Sequence, residues 1–164
     1  MDYRYGEIPR AVPLRVIRAA DIHDLDALYE LEELCFAERR FQKEHLLYIL
    51  KNPRAATFVF ENGGVLGTLM VLDERVVTRV LSVGVHPRHR REGIGTQLMR
   101  VAEDTARRFH TTEVRLEVNA NNPGALAFYK ALGYEVMSRL PRYYSWGDDA
   151  FAMRKPIAIL ARKP

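Results

Sequence analysis

Apolar residues recur with two different periods along the chain, and each period predicts a different kind of element. Residues 14–18 alternate as a strand does, and Asp21 then stands where the N-cap of a helix is expected. A second helix is predicted over residues 42–50, and it ends before Pro53 because proline disfavours helical backbone in the residue that precedes it. The apolar stripe of the first helix has helical spacing: Ile22, Leu25, Leu28, Leu31 and Leu34.

The middle of the chain changes to the alternation that is typical of β-strands and then returns to a helix. Residues 57–72 predict a β-hairpin around the turn Asn62-Gly63-Gly64, and residues 76–85 predict a third strand of the same meander. An amphipathic helix over residues 93–109 leads to a strand over residues 114–118. The strand, helix and strand together predict a right-handed βαβ unit.

The last third of the chain predicts one more helix and two more strands. Pro123 fits the first turn of a helix that Asn122 would cap, and Gly133 fits the position just after its end. Strands are predicted over residues 134–139 and 150–153, with a loop over residues 141–149 between them.

These elements predict an α/β (α+β) fold. Its sheet is mixed and mostly antiparallel, with about seven strands flanked by about four helices and a central parallel βαβ unit. Residues 1–13 contain two prolines and no sustained period, so we expect an extended lead-in, followed by a single domain over residues 14–164. A chain of 164 residues that is 48% hydrophobic has room for one core.

Composition narrows the functional classes. The longest apolar runs, such as residues 65–72, are much shorter than the roughly 20 residues that cross a bilayer. The N-terminus has no apolar signal core, and the lone Cys35 forms no internal disulfide, so we expect a cytoplasmic protein with no membrane partner. The net charge of +4 is a mild excess that predicts no sequence-specific nucleic-acid binding.

Residues 83–96 run from a strand through a basic loop into the start of a helix, and this order predicts an anion-binding site. Glycines let backbone N–H groups approach phosphate oxygens, the helix dipole favours negative charge, and arginines add charge-assisted hydrogen bonds. The segment matches neither the P-loop nor the three-glycine dinucleotide fingerprint. A capped helix beside a solvated basic loop is the alternative interpretation.

The order Arg90-x-x-Gly93-x-Gly95 after a strand resembles the coenzyme A pyrophosphate motif of the GNAT (GCN5-related N-acetyltransferase) superfamily. Residues 122–134 resemble the second cofactor-side motif of that superfamily, and the resemblance as a whole covers residues 14–157. It implies the GNAT acyl-CoA N-acyltransferase fold, with acetyl-CoA as cosubstrate. It also implies that Val83, Gly84 and Val85 pair with the pantetheine arm, and that Asn122 bonds the cofactor near its middle in addition to capping a helix. The residues that the resemblance assigns to the pyrophosphate are Arg90, Arg91, Glu92, Gly93, Ile94 and Gly95, with Thr96 beside them as a further cofactor contact.

Transfer of an acetyl group to an amine needs a base for the amine and an acid for the departing thiolate. Alternation leaves Glu117 on the opposite face of its strand from Val114, Leu116 and Val118, where it is either a base or an exposed residue paired with an arginine. Resemblance to the RimI and archaeal Ard1-like protein N-terminal acetyltransferases implies that Glu117 is the base and Tyr129 the acid. Packing of a helix aromatic is the alternative for Tyr129.

The loop after residue 141 indicates the acceptor. Its resemblance to the RimI and Ard1 type implies that Tyr143 and Tyr144 line a groove for a free protein N-terminus, although packing within a hairpin would also explain them. Trp146 stands where a small or acidic residue is expected. The opposite wall, residues 36–41, matches the family pattern poorly, and Glu38 in it is either a contact for an amino group or a solvated loop charge.

The sequence therefore predicts an acetyl-CoA-dependent N-acetyltransferase that acts on the α-amino groups of protein or peptide N-termini, with possible association with the ribosome or its proteins. The histidines show no metal-ligand spacing, so no metal is predicted. Two alternatives stay open. One is acetylation of a small-molecule amine or a lysine side chain, and the other is a non-catalytic module that senses coenzyme A.

Overall fold

A computed structural model describes residues 15–158 of the protein. Within these residues, four α-helices and seven strands follow one another in the predicted order. The helices are α1 (Leu25–Phe36), α2 (Lys43–Lys51), α3 (Ile94–Phe109) and α4 (Pro123–Ala131). The strands are β1 (Val16–Ala19), β2 (Ala55–Glu61), β3 (Val65–Asp73), β4 (Val77–Val85), β5 (Glu113–Asn119), β6 (Glu135–Leu140) and β7 (Ala150–Pro156). The predicted lead-in over residues 1–13 lies outside the described residues, as do residue 14 and residues 159–164 of the predicted domain.

Local capping explains where the first helix begins and where the last helix ends. Asp21 accepts a hydrogen bond from the His23 N–H at 2.8 Å, and the Asp24 carboxylate accepts one from the Asp21 N–H at 2.9 Å. This capping box opens a 3-10 turn over Ile22–Asp24, so the predicted helix starts with a tighter turn and becomes α-helical only at Leu25. Gly133, with φ of +95°, follows the end of α4 as predicted.

The seven strands form one sheet in the order β1-β2-β3-β4-β5-β7-β6. Every pair is antiparallel except β4 and β5, which are parallel and are connected through α3. The register of β4 with β5 covers only Val77–Arg79 against Glu113–Arg115, whereas β4 continues to Val85 and β5 to Asn119. The two central strands therefore separate, and an opening lies between their C-terminal halves.

The sheet is covered on both faces. Leu98 and Met99 of α3 pack in one core cluster with Leu69 and Leu116, and all four side chains are buried. On the other face, α1 and α2 pack against β2, β3 and β4, where a second cluster contains Leu28, Leu46, Ile49, Val59 and Met70. Among the described residues, no helix combines the length and apolar character that a membrane span requires.

Candidate active site

The opening between β4 and β5 exposes a free backbone edge of β4. The His86 N–H donates to the Leu66 carbonyl at 2.8 Å, which continues the β3–β4 ladder. Successive residues of a strand direct their backbone groups to opposite sides, so the N–H and carbonyl groups of Val83 and Val85 face away from β3 and into the opening. An extended ligand chain with amide groups would find hydrogen-bonding partners there.

The end of this edge is organised by two side chains. The Val85 carbonyl accepts hydrogen bonds from Arg90 Nε at 3.2 Å and from Cys35 Sγ at 3.3 Å. Burial raises the pKa of the Cys35 thiol, which therefore remains a neutral donor. Gly84 permits this packing, because a Cβ atom at that position would lie 3.2 Å from Cys35 Sγ. The glycine holds the end of α1 close against β4.

The start of α3 has the features of an anion site. Gly93, with φ of +82°, is the N-cap and Arg91 has φ of +63°, and the turn they form directs the chain into α3. No side chain caps the helix and no acidic residue lies in its first turn, so the first N–H groups are free for an anion. Glu92 instead faces His89, with 3.2 Å between Oε2 and Nδ1. Gly95 brings α3 against α4, since a Cβ atom there would lie 3.2 Å from Phe128 Cζ.

Asn122 caps α4 as the sequence predicts. Its Oδ1 accepts a hydrogen bond from the Ala125 N–H at 3.1 Å, and Pro123 occupies the first helical turn. Capping alone accounts for an asparagine at this position, so the contact of Asn122 with a cofactor stays a prediction.

Glu117 lies on β5 where the two central strands have separated, and an arginine from β4 holds it. Arg79 Nη2 lies 2.9 Å from Glu117 Oε1, and Arg79 Nε donates to Oε2 at 3.2 Å. Arg79 Nη2 also donates to the Tyr143 hydroxyl at 2.7 Å. The predicted alternative, pairing with an arginine on an adjacent strand, is thus confirmed as a contact, and it leaves the role of Glu117 as base a prediction. The Glu117 side chain is 20% exposed, so solvent or a ligand can reach it.

Two of the three predicted tyrosines lie near this carboxylate: Tyr143 through its hydrogen bond with Arg79, and Tyr144 through its contact with Tyr143. Tyr143 and Tyr144 meet edge to face with 5.0 Å between ring centroids, and Tyr129 packs against Phe128 at 5.1 Å. Burial raises the pKa of Tyr144 to about 12, with further contributions from Tyr143 and Glu117. Burial also raises the pKa of Tyr129, with a contribution from Tyr144. Both phenols therefore keep their protons at neutral pH.

A buried carboxylate joins the segment after α1 to the central sheet. Glu32 of α1 is 1% exposed, and it accepts hydrogen bonds from Ser82 Oγ at 2.8 Å and from the Phe41 N–H at 3.2 Å. Burial raises its pKa. Sequence reasoning missed this residue, although it lies four positions after Leu28 on the buried face of the helix. That spacing was the signal that could have found it.

Two histidines of the basic loop contact neighbouring residues. His86 Nδ1 accepts from the Arg88 N–H at 3.1 Å, and His89 pairs with Glu92. Within residues 15–158 no group of three or more histidine, cysteine or acidic residues could hold a metal ion.

Comparison with known proteins identifies the family. The family model described as "Acetyltransferase (GNAT) family" matches residues 25–134. The chain belongs to the GNAT family. It is an acetyltransferase, and the fold that the sequence predicted is confirmed. The matched range contains the turn over residues 83–96 together with Glu117, Asn122 and Tyr129, whereas Tyr143 and Tyr144 lie beyond it.

Three known proteins are similar to this GNAT chain over most of its length. An N-alpha-acetyltransferase of Sulfurisphaera tokodaii is 33% identical over 86% of this chain and 92% of the relative. A [ribosomal protein bS18]-alanine N-acetyltransferase of Escherichia coli K12 is 27% identical over 89% of this chain and 100% of the relative. The crystal structure of Ard1 from Thermoplasma volcanium superposes with a TM-score of 0.79 at 27% identity, covering 87% of this chain and 97% of that one.

Proposed function

We propose that the protein transfers an acetyl group from acetyl-CoA to the α-amino group of protein N-termini. The observation that carries this proposal is the opening between β4 and β5, which has a backbone edge on one side and the Glu117 carboxylate with Arg79 and Tyr143 on the other. Two of the relatives are named as acetyltransferases of an α-amino group or of the alanine of ribosomal protein bS18, and those names support the choice of acceptor.

The residues around the opening fit acetyl-CoA. The uncapped start of α3 offers N–H groups to the pyrophosphate, with Gly93 and Gly95 keeping that turn free of side chains. The Val83 N–H and carbonyl and the Val85 N–H suit the amides of the pantetheine arm, whereas the Val85 carbonyl is already bonded to Arg90 and Cys35. In the proposal the cofactor is held by Val83, Gly84, Val85, Arg90, Arg91, Glu92, Gly93, Ile94, Gly95, Thr96 and Asn122.

Bound acetyl-CoA supplies a thioester carbonyl for attack by a neutral amine, and the thiolate of coenzyme A leaves. Glu117 accepts a proton from the incoming ammonium, directly or through a water molecule. Arg79 occupies two of the roughly four lone-pair positions of the carboxylate, so Glu117 retains acceptor capacity for the amine. Attack is direct, within a complex that holds both substrates.

Tyr129 donates a proton to the departing sulfur. Its raised pKa keeps the phenol protonated until negative charge develops beside it. Tyr143 and Tyr144 line the acceptor groove, and the hydrogen bond from Arg79 fixes the Tyr143 ring beside Glu117. A peptide backbone entering along these rings brings its first amine to the carboxylate.

The first experiment distinguishes α-amines from other acceptors. Purified protein is incubated with acetyl-CoA and a library of peptides with free N-termini, including the N-terminal peptide of ribosomal protein bS18, and mass spectrometry locates the acetyl group. The matched control contains the same peptides with blocked N-termini and an internal lysine. Acetylation of α-amines alone supports the proposal, whereas acetylation confined to lysine or to small amines contradicts it.

Two variants test the roles of the residues. Glu117→Gln and Tyr129→Phe should each lower kcat by roughly 10²- to 10⁴-fold, the usual contribution of a general base or acid, while acetyl-CoA binding measured by calorimetry stays nearly unchanged. Glu135→Gln on the exposed face of β6 and Tyr48→Phe on α2 make the same chemical changes away from the opening. If Glu117→Gln keeps wild-type turnover near neutral pH, Glu117 is not the base.

A further inference from the structure

The segment after α1 is joined to the loop between β6 and β7 by one arginine. Arg39 belongs to the 3-10 turn Ala37–Arg39. Its guanidinium carbon lies 4.3 Å from the centre of the Trp146 ring, and its Nη1 lies 3.6 Å from Asp148 Oδ2. We call Arg39, Trp146 and Asp148 the clasp.

The clasp is anchored to the end of β5. Asp148 Oδ2 accepts a hydrogen bond from Trp146 Nε1 at 2.8 Å and another from Asn119 Nδ2 at 2.9 Å. One carboxylate oxygen thus fixes the indole ring, the arginine and the end of the strand that carries Glu117. The clasp spans the two segments that the sequence predicts as opposite walls of the acceptor groove.

A continuous series of contacts connects the clasp to the carboxylate of the active site. Trp146 stacks on Tyr144 with 4.7 Å between centroids and 13° between planes, and Tyr144 contacts Tyr143. Tyr143 accepts from Arg79, which pairs with Glu117. A side chain bound beside Tyr144 therefore competes for space with the Trp146 ring.

Each contact in the clasp is exposed and weak enough to open. The Arg39 side chain is 54% exposed and Trp146 is 40% exposed. Cation–π contacts and ion pairs with this exposure contribute little to the stability of a fold. Their removal should therefore leave the domain folded.

We propose that Arg39 and Trp146 determine specificity by closing one end of the acceptor groove, so that the clasp limits the size of the acceptor's first side chain. This inference rests on the proposed function. It assigns a role to two residues at which the chain departs from the pattern of the family it resembles.

The kinetic test compares two peptides that differ only in their first residue, alanine or phenylalanine. Arg39→Ala and Trp146→Ala should each raise the ratio of kcat/KM for phenylalanine over alanine by about tenfold or more, a usual size for discrimination by a packed pocket. Trp146→Phe keeps a ring for Arg39 to cover and should keep the wild-type ratio. Arg108→Ala, an exposed arginine on α3 across the sheet, is the control for removal of charge. A ratio that stays at the wild-type value in both alanine variants overturns the proposal.

A second measurement is independent of turnover. Trp146 is the only tryptophan in the chain, so its fluorescence reports the clasp directly. Arg39→Ala should shift the emission to longer wavelength because the indole ring becomes more exposed to water, and Arg108→Ala should leave the emission unchanged. Identical emission from wild type, Arg39→Ala and Arg108→Ala would show that Arg39 does not cover Trp146, and would overturn the proposal. If the wild-type protein acetylates no peptide, the proposed function fails and the specificity role fails with it, while the emission still shows whether the contact forms.

Discussion

Substitution of Glu32 tests whether a buried carboxylate holds the segment after α1 against β4. The side chain accepts two hydrogen bonds, from Ser82 Oγ and from the Phe41 N–H, and is 1% exposed. Glu32→Ala removes both bonds. At about 1.5 kcal/mol for each bond to a charged acceptor, the expected loss in unfolding free energy is about 3 kcal/mol. For a domain of this size that loss lowers Tm by roughly 6–12 °C.

Glu32→Gln should cost much less than Glu32→Ala. The glutamine carbonyl can accept from the Phe41 N–H, and its amide can donate to Ser82 Oγ because a hydroxyl both donates and accepts. The variant also removes a buried charge, so we expect a change within about 1 kcal/mol at neutral pH. Ser82→Ala in the Glu32→Gln background removes that acceptor and should cost roughly 1–3 kcal/mol more.

The unfolding free energies of wild type and Glu32→Gln should depend differently on pH, and the direction of that difference can be checked. The folded-state pKa of Glu32 lies above its ordinary value of 4.5, so between the two values the folded protein binds a proton that the unfolded chain has released. The stabilisation from Glu32 is therefore complete at pH values below its pKa in the unfolded chain. It is lost as pH rises through its pKa in the folded protein. The difference in unfolding free energy between wild type and Glu32→Gln should fall over that interval.

Urea unfolding of wild type, Glu32→Ala and Glu32→Gln across this pH range measures the loss of hydrogen bonds and the pH dependence. Acetyl-CoA binding is the check that each variant keeps its fold. Equal losses in Glu32→Ala and Glu32→Gln would show that charge, and not hydrogen bonding, holds the segment. A difference between wild type and Glu32→Gln that rises with pH would refute the direction of the pKa shift.

Two further predictions concern glycines beside the opening. Gly93 has φ of +82°, and no neighbour lies closer than 4.0 Å to an added Cβ atom. Gly93→Ala should therefore lower the free energy of unfolding by roughly 1–2 kcal/mol through backbone strain alone, and Gly93→Asn should lower it less. Equal losses of the two variants in urea unfolding would contradict this. Gly84→Ala places a methyl group 3.2 Å from Cys35 Sγ, so Cys35→Ala should partly restore the stability of Gly84→Ala, with a coupling of about 1 kcal/mol in a double-mutant cycle. Additive losses would show that the two residues do not press on each other.

The elements that depend on local chemistry could be predicted from the sequence. The hairpin turn, the start of α4 at Pro123 and the stripe of α3 are all determined by residues within one or two turns, and α3 runs over Ile94–Phe109 where a helix was predicted over residues 93–109. The last strand was predicted over residues 150–153 but continues to Pro156. Arg154 and Lys155 end the apolar alternation, and pairing with Arg115 and Val114 of β5 extends the ladder through them.

The partners of the site residues could not be predicted, because they depend on register between distant strands. Arg79 reaches Glu117 because parallel pairing sets Arg79 beside Arg115, two residues before Glu117 on β5. Nothing near Arg79 in the sequence indicates this pairing. The same holds for Arg39, whose contact with Trp146 joins segments more than 100 residues apart.

The parts of the candidate site differ in how they are held in place. Buried apolar side chains on both faces hold β3, β4 and β5 in place, and with them the backbone edge and Glu117. The loop over residues 141–149 is instead tied by polar and aromatic contacts that are largely exposed, to Arg39, to Asn119 and to Arg79. Because exposed contacts of this kind add little to the free energy of unfolding, substitutions in the loop should alter acceptor choice while the fold and the cofactor site persist. The geometry thereby allows the acceptor to change without disturbing the residues proposed to hold acetyl-CoA.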